Sequence, residues 1–394
     1  MAGRLYSPLT FSEILYECMI PINAGIKKLA LYEFCYAVEN LYPRDGWESI
    51  KPDDQGEIER LIRQRAFYEG IQVKPCANDR IILDDSITRL TRILFTGLVR
   101  GEYSQEWVNK LFYFDIRGFY FLPRTIYFTE NGKAHFGGKP FRSFEPRQKQ
   151  FEEVQDIGYR EFQEANLEID QAFTEMLQIL IESRGTPILI SLAGPTASGK
   201  TEIVERLIKE YAQDGKKVAT IEMDNFLYDR EIRGSKALGK ETTHFMLFKD
   251  SLQDILQGRK IIIPRYDSAT ASSSHGLDGK LKPGCLPLEI EPAEIILLEG
   301  NFPFQMSEVA DLIAYKIVYL TDDPVRLKRK WKRDIDYRKN YDPAHFRNRF
   351  FKTQFLRAED CYRSQIEKCD IVVDTTAAAL WVTSEVSDIL LDAL

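Results

Sequence analysis

Eight consecutive residues, Gly194-Pro195-Thr196-Ala197-Ser198-Gly199-Lys200-Thr201, fit the pattern G-x-x-x-x-G-K-[ST]. Glycine lets the backbone curl without Cβ clashes, so successive N–H groups can point inward at phosphate oxygens. In such a loop Lys200 reaches the β- and γ-phosphates, and the Thr201 hydroxyl ligates Mg²⁺. Two carboxylates follow at a distance, Asp224 in Met223-Asp224-Asn225-Phe226 and Glu299 in Leu297-Leu298-Glu299-Gly300. Phosphoryl transfer needs a carboxylate beside the acceptor hydroxyl and hard oxygens for the metal. Asp224 suits the first role, as base or hydroxyl orienter. Thr201, Glu299 and Asp224 supply the oxygens for the second. A lone acidic residue at a strand end often only caps the next helix, but two of them after a phosphate loop favour a site.

These residues need a frame to position them. From Pro187 onward short β-branched runs alternate with helical patterns, the signature of parallel α/β architecture. Strands are expected at Ile188–Ala193, Val218–Met223, Ile295–Leu298, Ile317–Leu320 and Ile371–Val373. After the loop, Ile203, Val204, Leu207, Ile208 and Tyr211 recur at helical spacing. Ligands of such sheets sit beyond the carboxyl ends of the strands, where Asp224 and Glu299 fall. The insert from Pro264 to Pro292 has the length of a functional loop. Tyr266 and Asp267 within it either line an acceptor pocket or make a turn. Lys316 to Lys352 holds twelve Lys or Arg against five Asp. It reads as a basic lid over the transferring phosphate, as a solvated face, or as a nucleic-acid patch.

The first 180 residues read as mainly helical, with helices at Ala24–Leu41, around Ile58–Ile62, and at Ile87–Leu98 behind Asp85 or Ser86 as cap. Phe112–Leu122 and Thr125–Phe136 are aromatic-rich, and Asn131-Gly132 predicts a hairpin turn between strands. Phe119, Phe121, Tyr127 and Phe128 are assigned to a core rather than to a stacking platform for bases. A long helix over 151–185 is expected to connect the parts. The domains are thus 1–150, mainly helical with a small hairpin, and 186–394, α/β. The first carries no chemical motif, which leaves regulatory, oligomerising or substrate-covering roles.

Hydrophobic content of 44% with 29% charged residues describes an ordinary soluble protein, and a net charge of -7 argues against a nucleic-acid or anionic-membrane coat. The six cysteines show no C-x-x-C, which suits reduced thiols in the cytoplasm. No apolar stretch approaches membrane-spanning length, and no signal-peptide layout is present at the start.

Taken together, GPTASGKT, MDNFLYDR (223–230), IPRYD (263–267), LLEG (297–300) and RDIDYR (333–338) resemble the uridine kinase–phosphoribulokinase family of phosphate-loop kinases over about Pro187–Asp374. The resemblance implies a five-stranded parallel core, ATP as donor and Mg²⁺ as cofactor. It implies that Asp224 activates the acceptor hydroxyl, that Glu299 supports the metal, and that Arg333 and Arg338 belong to a lid, Arg333 toward the substrate and Arg338 toward the nucleotide. The acceptor half departs from the family. Thr242-Thr243-His244-Phe245-Met246-Leu247-Phe248 keeps only His244 and Phe248 of the ribose-holding stretch. Ala271, Ser272 and Ser273 stand where the family often has His and Arg, with His275 a few residues on. His244, Tyr266, Asp267 and Arg333 are the substrate-binding candidates. The expected activity is transfer of the ATP γ-phosphate to a small hydroxylated acceptor, first a nucleoside such as uridine. Phosphoribulose-like sugars, glycerate and pantothenate are alternatives. A nucleotide-dependent switch with weak transfer is the second reading, and a polynucleotide kinase, disfavoured by the acidic charge, the third. A homo-oligomer is compatible with all three.

Overall fold

A computed structural model describes residues 6–70, 74–75, 81–82, 85–116, 118–145, 166–234, 236, 239–321, 326, 329–330, 333 and 349–393. Its described residues divide into two compact units: 6–126 with 349–357, and 127–145 with 166–333 and 358–393.

In the first unit α1 (Pro8–Met19) starts at Ser7, whose side chain accepts from the Thr10 N–H. The single helix expected over Ala24–Leu41 is in fact two elements. A 3₁₀ turn at Ala24–Lys28 ends where Leu29 and Ala30 turn extended, and α2 (Leu31–Glu39) begins as the Glu33 carboxylate accepts from the Ala30 N–H at 2.8 Å. That local cap outweighs the continuous apolar periodicity. Then come α3 (Gln55–Ile62), α4 (Asp85–Arg100) and α5 (Gln105–Leu111), followed by the antiparallel pair β1 (Phe112–Asp115) and β2 (Tyr120–Pro123). The core is aromatic. Phe11 stacks on Trp47 at 4.2 Å, and Phe95 meets Phe119 and Phe121 edge-on. Phe119 and Phe121 are buried there, as the core assignment expects.

The expected hairpin at Asn131-Gly132 is absent, because α6 (Glu130–His135) occupies that stretch. Thr129 caps it by accepting from the Gly132 N–H at 3.1 Å, and a Cβ on Gly132 would already touch Phe128 and Ile366. An N-cap three residues upstream thus outcompetes a turn-forming dipeptide.

The second unit is a three-layer α/β/α sandwich. Its strands are β3 (Arg142–Ser143), β4 (Ile188–Ala193), β5 (Val218–Glu222), β6 (Ile295–Gly300), β7 (Tyr315–Leu320), β8 (Ile371–Asp374) and β9 (Ala379–Val382). They run in the order β3-β9-β8-β7-β4-β6-β5. The five expected strands are parallel, whereas β9 and β3 add an antiparallel edge that periodicity did not reveal. Ile188, Ile190 and Leu192 of β4 face α7 (Leu167–Arg184), α8 (Lys200–Gln213) and α10 (Ser384–Asp392). Leu189 and Ala193 face the opposite way, toward Phe248, Leu252 and Ile255 of α9 (Phe245–Leu256). Every other residue thus meets a different layer, as a doubly covered sheet requires.

The expected boundary at residue 150 lies too late. Residues 127–145 go with the second unit because β3 pairs with β9, while Phe128 and Phe136 pack edge-on against Trp381. The α7 part of the expected connecting helix belongs to one layer of the sandwich, and residues 151–165 lie outside the described residues. Cys18, Cys35, Cys285, Cys361 and Cys369 form no disulfide. Among the described residues no helix is long and apolar enough to cross a membrane.

Phe173 of α7 is fully buried against the sheet. Phe173→Ala should destabilise the second unit by about 3–5 kcal/mol, read as a lower urea midpoint for that unit's transition.

Candidate active site

Strand β4 is buried along its whole length and delivers the chain to residues 194–199, after which α8 begins at Lys200. The parallel order reverses beside β4, between β6 and β7, so the crevice opens there. Gly194 has φ +152°, and a Cβ on it would lie 2.3 Å from the Tyr319 carbonyl oxygen of β7. That contact is with backbone, so glycine alone fits. At the crest Ala197 sits at φ +60°, in the left-handed region. Ser198 is fully buried, and its Oγ has no hydrogen-bond partner.

The Lys200 ammonium lies inside this loop, donating to the carbonyls of Gly194 and Pro195 at 3.0 Å each. Burial pulls its pKa down to about 8; Glu299 and Asp224 oppose this, while Arg333 and Arg326 add to it. The Thr201 hydroxyl donates to Glu299 Oε1 at 2.9 Å. Burial raises the Glu299 pKa, as do Asp224 and Glu205, against the pull of Lys200 and Thr201. Asp224 occupies the turn Met223–Phe226 directly after β5. Gly300 lets β6 end close to that turn, since a Cβ there would meet Met223 Cβ at 2.7 Å. The four expected groups Lys200, Thr201, Asp224 and Glu299 are thus brought to one edge of the sheet.

Sequence reading missed Glu222. It ends β5 in register with Glu299, and desolvation, Glu299 and Asp224 all raise its pKa. Its position at the carboxyl end of a parallel strand was the available signal. The donors Thr201, Glu299 and Asp224 are all hard oxygens, a set that suits Mg²⁺. Among the described residues no three carboxylate, His or Cys groups make a cage of their own. Phosphate oxygens and water complete such a site in Mg²⁺ proteins, and the partnerless Ser198 Oγ adds a polar group inside the loop.

Two of the acceptor candidates, His244 and Tyr266, bond to the turn that carries Asp224. Residues 226–228 pair with 242–244, through His244 N–H to Phe226 O at 2.8 Å and Tyr228 N–H to Thr242 O at 3.0 Å. This sets the His244 ring edge-on to Tyr228 at 4.4 Å and 6.3 Å from the His275 ring. His244 is buried, its Nε2 has no hydrogen-bond partner, and burial, then His275 and Lys282, bring its pKa down to about 4. The Tyr266 N–H donates to Asn225 Oδ1 at 3.1 Å, and Arg233 donates to the Tyr266 hydroxyl at 2.6 Å and to the Tyr228 carbonyl at 2.8 Å. Lys282 bridges Asp229 and the Ser273 carbonyl. Asp267, by contrast, accepts from the Ala269 N–H at 2.8 Å and so makes a turn. Asn225, Tyr228, Arg233 and Lys282 were not foreseen, since no local pattern links them.

Three arginines stand on the crest of the loop. Arg326 donates to the Thr196 carbonyl (3.4 Å), Arg329 to the Ala197 carbonyl (3.3 Å), and Arg333 to Thr196 Oγ1 (3.2 Å). Arg329 also pairs with Glu202 of α8. Their spacing, three then four residues, is that of one helical face; sequence reading had singled out only Arg333. The expected nucleotide contact of Arg338 lies outside the described residues.

Against known proteins, residues 189–379 match the phosphoribulokinase / uridine kinase family profile. That segment is a member of the family. The uridine kinase of Leuconostoc citreum (strain KM20) is 28% identical over 158 residues, 39% of this chain and 70% of that protein. Uridine-cytidine kinase 2-B of Danio rerio is 29% identical over 165 residues, 39% of this chain but only 59% of its own length. The solved structure of a possible uridine kinase from Bacillus stearothermophilus is 16% identical, covering 45% of this chain and 95% of that one, with a TM-score of 0.33. The second unit is a phosphate-loop kinase domain.

Two pH effects follow. With its pKa near 8, Lys200 loses its charge above that value, so the ATP dissociation constant should rise by up to about tenfold per pH unit there. Lys200→Met should bind more weakly and without that slope in a titration series. For His244 the folded pKa lies below the ordinary 6.5, so between pH 6.5 and about 4 the unfolded chain binds the proton more readily. Stability is therefore present above 6.5 and declines as pH falls through this window. His244→Gln should flatten that decline in melting temperatures measured from pH 7 to 4.5.

Proposed function

We propose that the second unit transfers the γ-phosphoryl group of ATP to a hydroxyl of a small acceptor, with a nucleoside as first candidate. The observation that carries this is the Thr201–Glu299 hydrogen bond at the mouth of the loop holding Lys200, with Asp224 on the adjoining strand end. In this reading the acceptor oxygen attacks the γ-phosphorus as the bond to the β–γ bridging oxygen breaks, and Asp224 takes the hydroxyl proton. Lys200 offsets charge on the β- and γ-phosphates, and Arg333 comes to the transferring group from the crest of the loop. Thr201, Glu299 and Asp224 would hold Mg²⁺, which when bound neutralises charge on the phosphate oxygens.

The nucleoside is supported by rings around the acceptor side: Tyr228, His244, Tyr266 and His275 offer faces and edges to a planar base. His244, neutral with a buried partnerless Nε2, is suited to a base edge. Cysteines that form no disulfide suit a reducing cytoplasm.

The test is ADP formation from ATP against uridine, cytidine, D-glycerate, pantothenate and ribulose 5-phosphate. Asp224→Asn should lower kcat by about 10²–10⁴. Turnover within about threefold of wild type would rule out Asp224 as the base.

A further inference from the structure

Arg326 is fully buried, and a buried guanidinium is costly unless its hydrogen bonds are met. One end of it donates to the Thr196 carbonyl on the crest of the phosphate loop. The other donates to the hydroxyl of Tyr127, whose ring also lies under the guanidinium at 5.2 Å. Tyr127 is itself buried and belongs to the segment 127–145, outside the 189–379 family match. Its ring meets Tyr362 edge-on at 5.8 Å, and Tyr362 donates to Asn301 Oδ1 at 3.4 Å, two residues beyond Glu299. Tyr127 thus stands between the arginines on the loop and the chain that leaves β6.

The crest needs such support. Ala197 sits at φ +60°, in the left-handed region that strains an L-residue. Its carbonyl and that of Thr196 are engaged by Arg329 and Arg326. An arginine side chain has several rotatable bonds, so its aim depends on what fixes the far end of the guanidinium.

We propose that Tyr127 is a positioning residue for the nucleotide site, acting through Arg326 to hold the crest of the phosphate loop. A segment that precedes the family domain is then part of its donor site, and donor affinity depends on that segment staying docked. The inference rests on the ATP-binding reading above.

The experiment uses the full chain and titrates ATP with Mg²⁺ by calorimetry, alongside melting temperatures. Tyr127→Phe keeps the ring, its packing on Tyr362 and its face toward Arg326, and removes only the hydroxyl. It should weaken ATP about tenfold, as expected for loss of one hydrogen bond to a charged group, beside a small fall in melting temperature from the unmet guanidinium. Arg326→Lys should weaken ATP at least as much, and Tyr127→Phe added to Arg326→Lys should cost nothing more, since both act at one contact. ATP affinity within twofold of wild type in Tyr127→Phe overturns the proposal, as does a lower melting temperature with affinity unchanged. Additive losses in the double variant also overturn it, because Tyr127 would then act without Arg326. Wild-type protein that fails to bind ATP removes the kinase reading and this one together. Wild-type binding that Tyr127→Phe leaves intact removes this one alone.

Discussion

The site depends on an ammonium group taken out of water and kept inside a ring of backbone. Lys200 can be buried because two loop carbonyls accept from it and because Glu299 and Asp224 lie within electrostatic reach. A buried charge without such partners costs several kcal/mol. The requirement propagates outward. The loop must curl tightly enough to aim the carbonyls of Gly194 and Pro195 at one point, and β7 must pass so close to Gly194 that no side chain fits there. β6 must end where Glu299 meets Thr201, which Gly300 allows by letting it approach Met223.

Around this centre the two halves of the site are built differently. The donor half is nearly continuous in the chain: strand, loop and helix run from Ile188 to Gln213. The arginines on its crest come from a single later stretch. The proposed acceptor half is assembled from three separate loops, around Tyr228, His244 and residues 265–282, joined by side-chain hydrogen bonds such as Arg233–Tyr266 and Lys282–Asp229. Backbone geometry dictates the first half, whereas tertiary packing selects the second.

The first unit is organised by a different constraint. Its core is a cluster of aromatic rings around Phe95, Trp47 and Phe119. Ring pairs favour edge-on contacts, and such geometry fixes a small helical domain. The segment that follows, residues 127–145, leaves that cluster and packs instead on Trp381 at the far edge of the sheet. Its contribution to the second unit is therefore both an edge strand and Tyr127 beside Arg326.

Much was legible from sequence by itself. The phosphate loop, the five parallel strands and the carboxylates at two strand ends follow from short-range patterns, because glycine conformation, β-branched runs and helical periodicity act within a few residues. Other features were decided only in three dimensions. Asn131-Gly132 has a turn-forming sequence yet lies in a helix, since Thr129 caps it and Gly132 packs against Phe128 and Ile366. Arg326 and Tyr127 stand 199 residues apart, and Tyr319 and Asp170 stand 149 apart. No local propensity records such pairs. They form because a sheet with helices on both faces brings distant segments together, and burial then makes each polar group find the partner that folding has placed beside it.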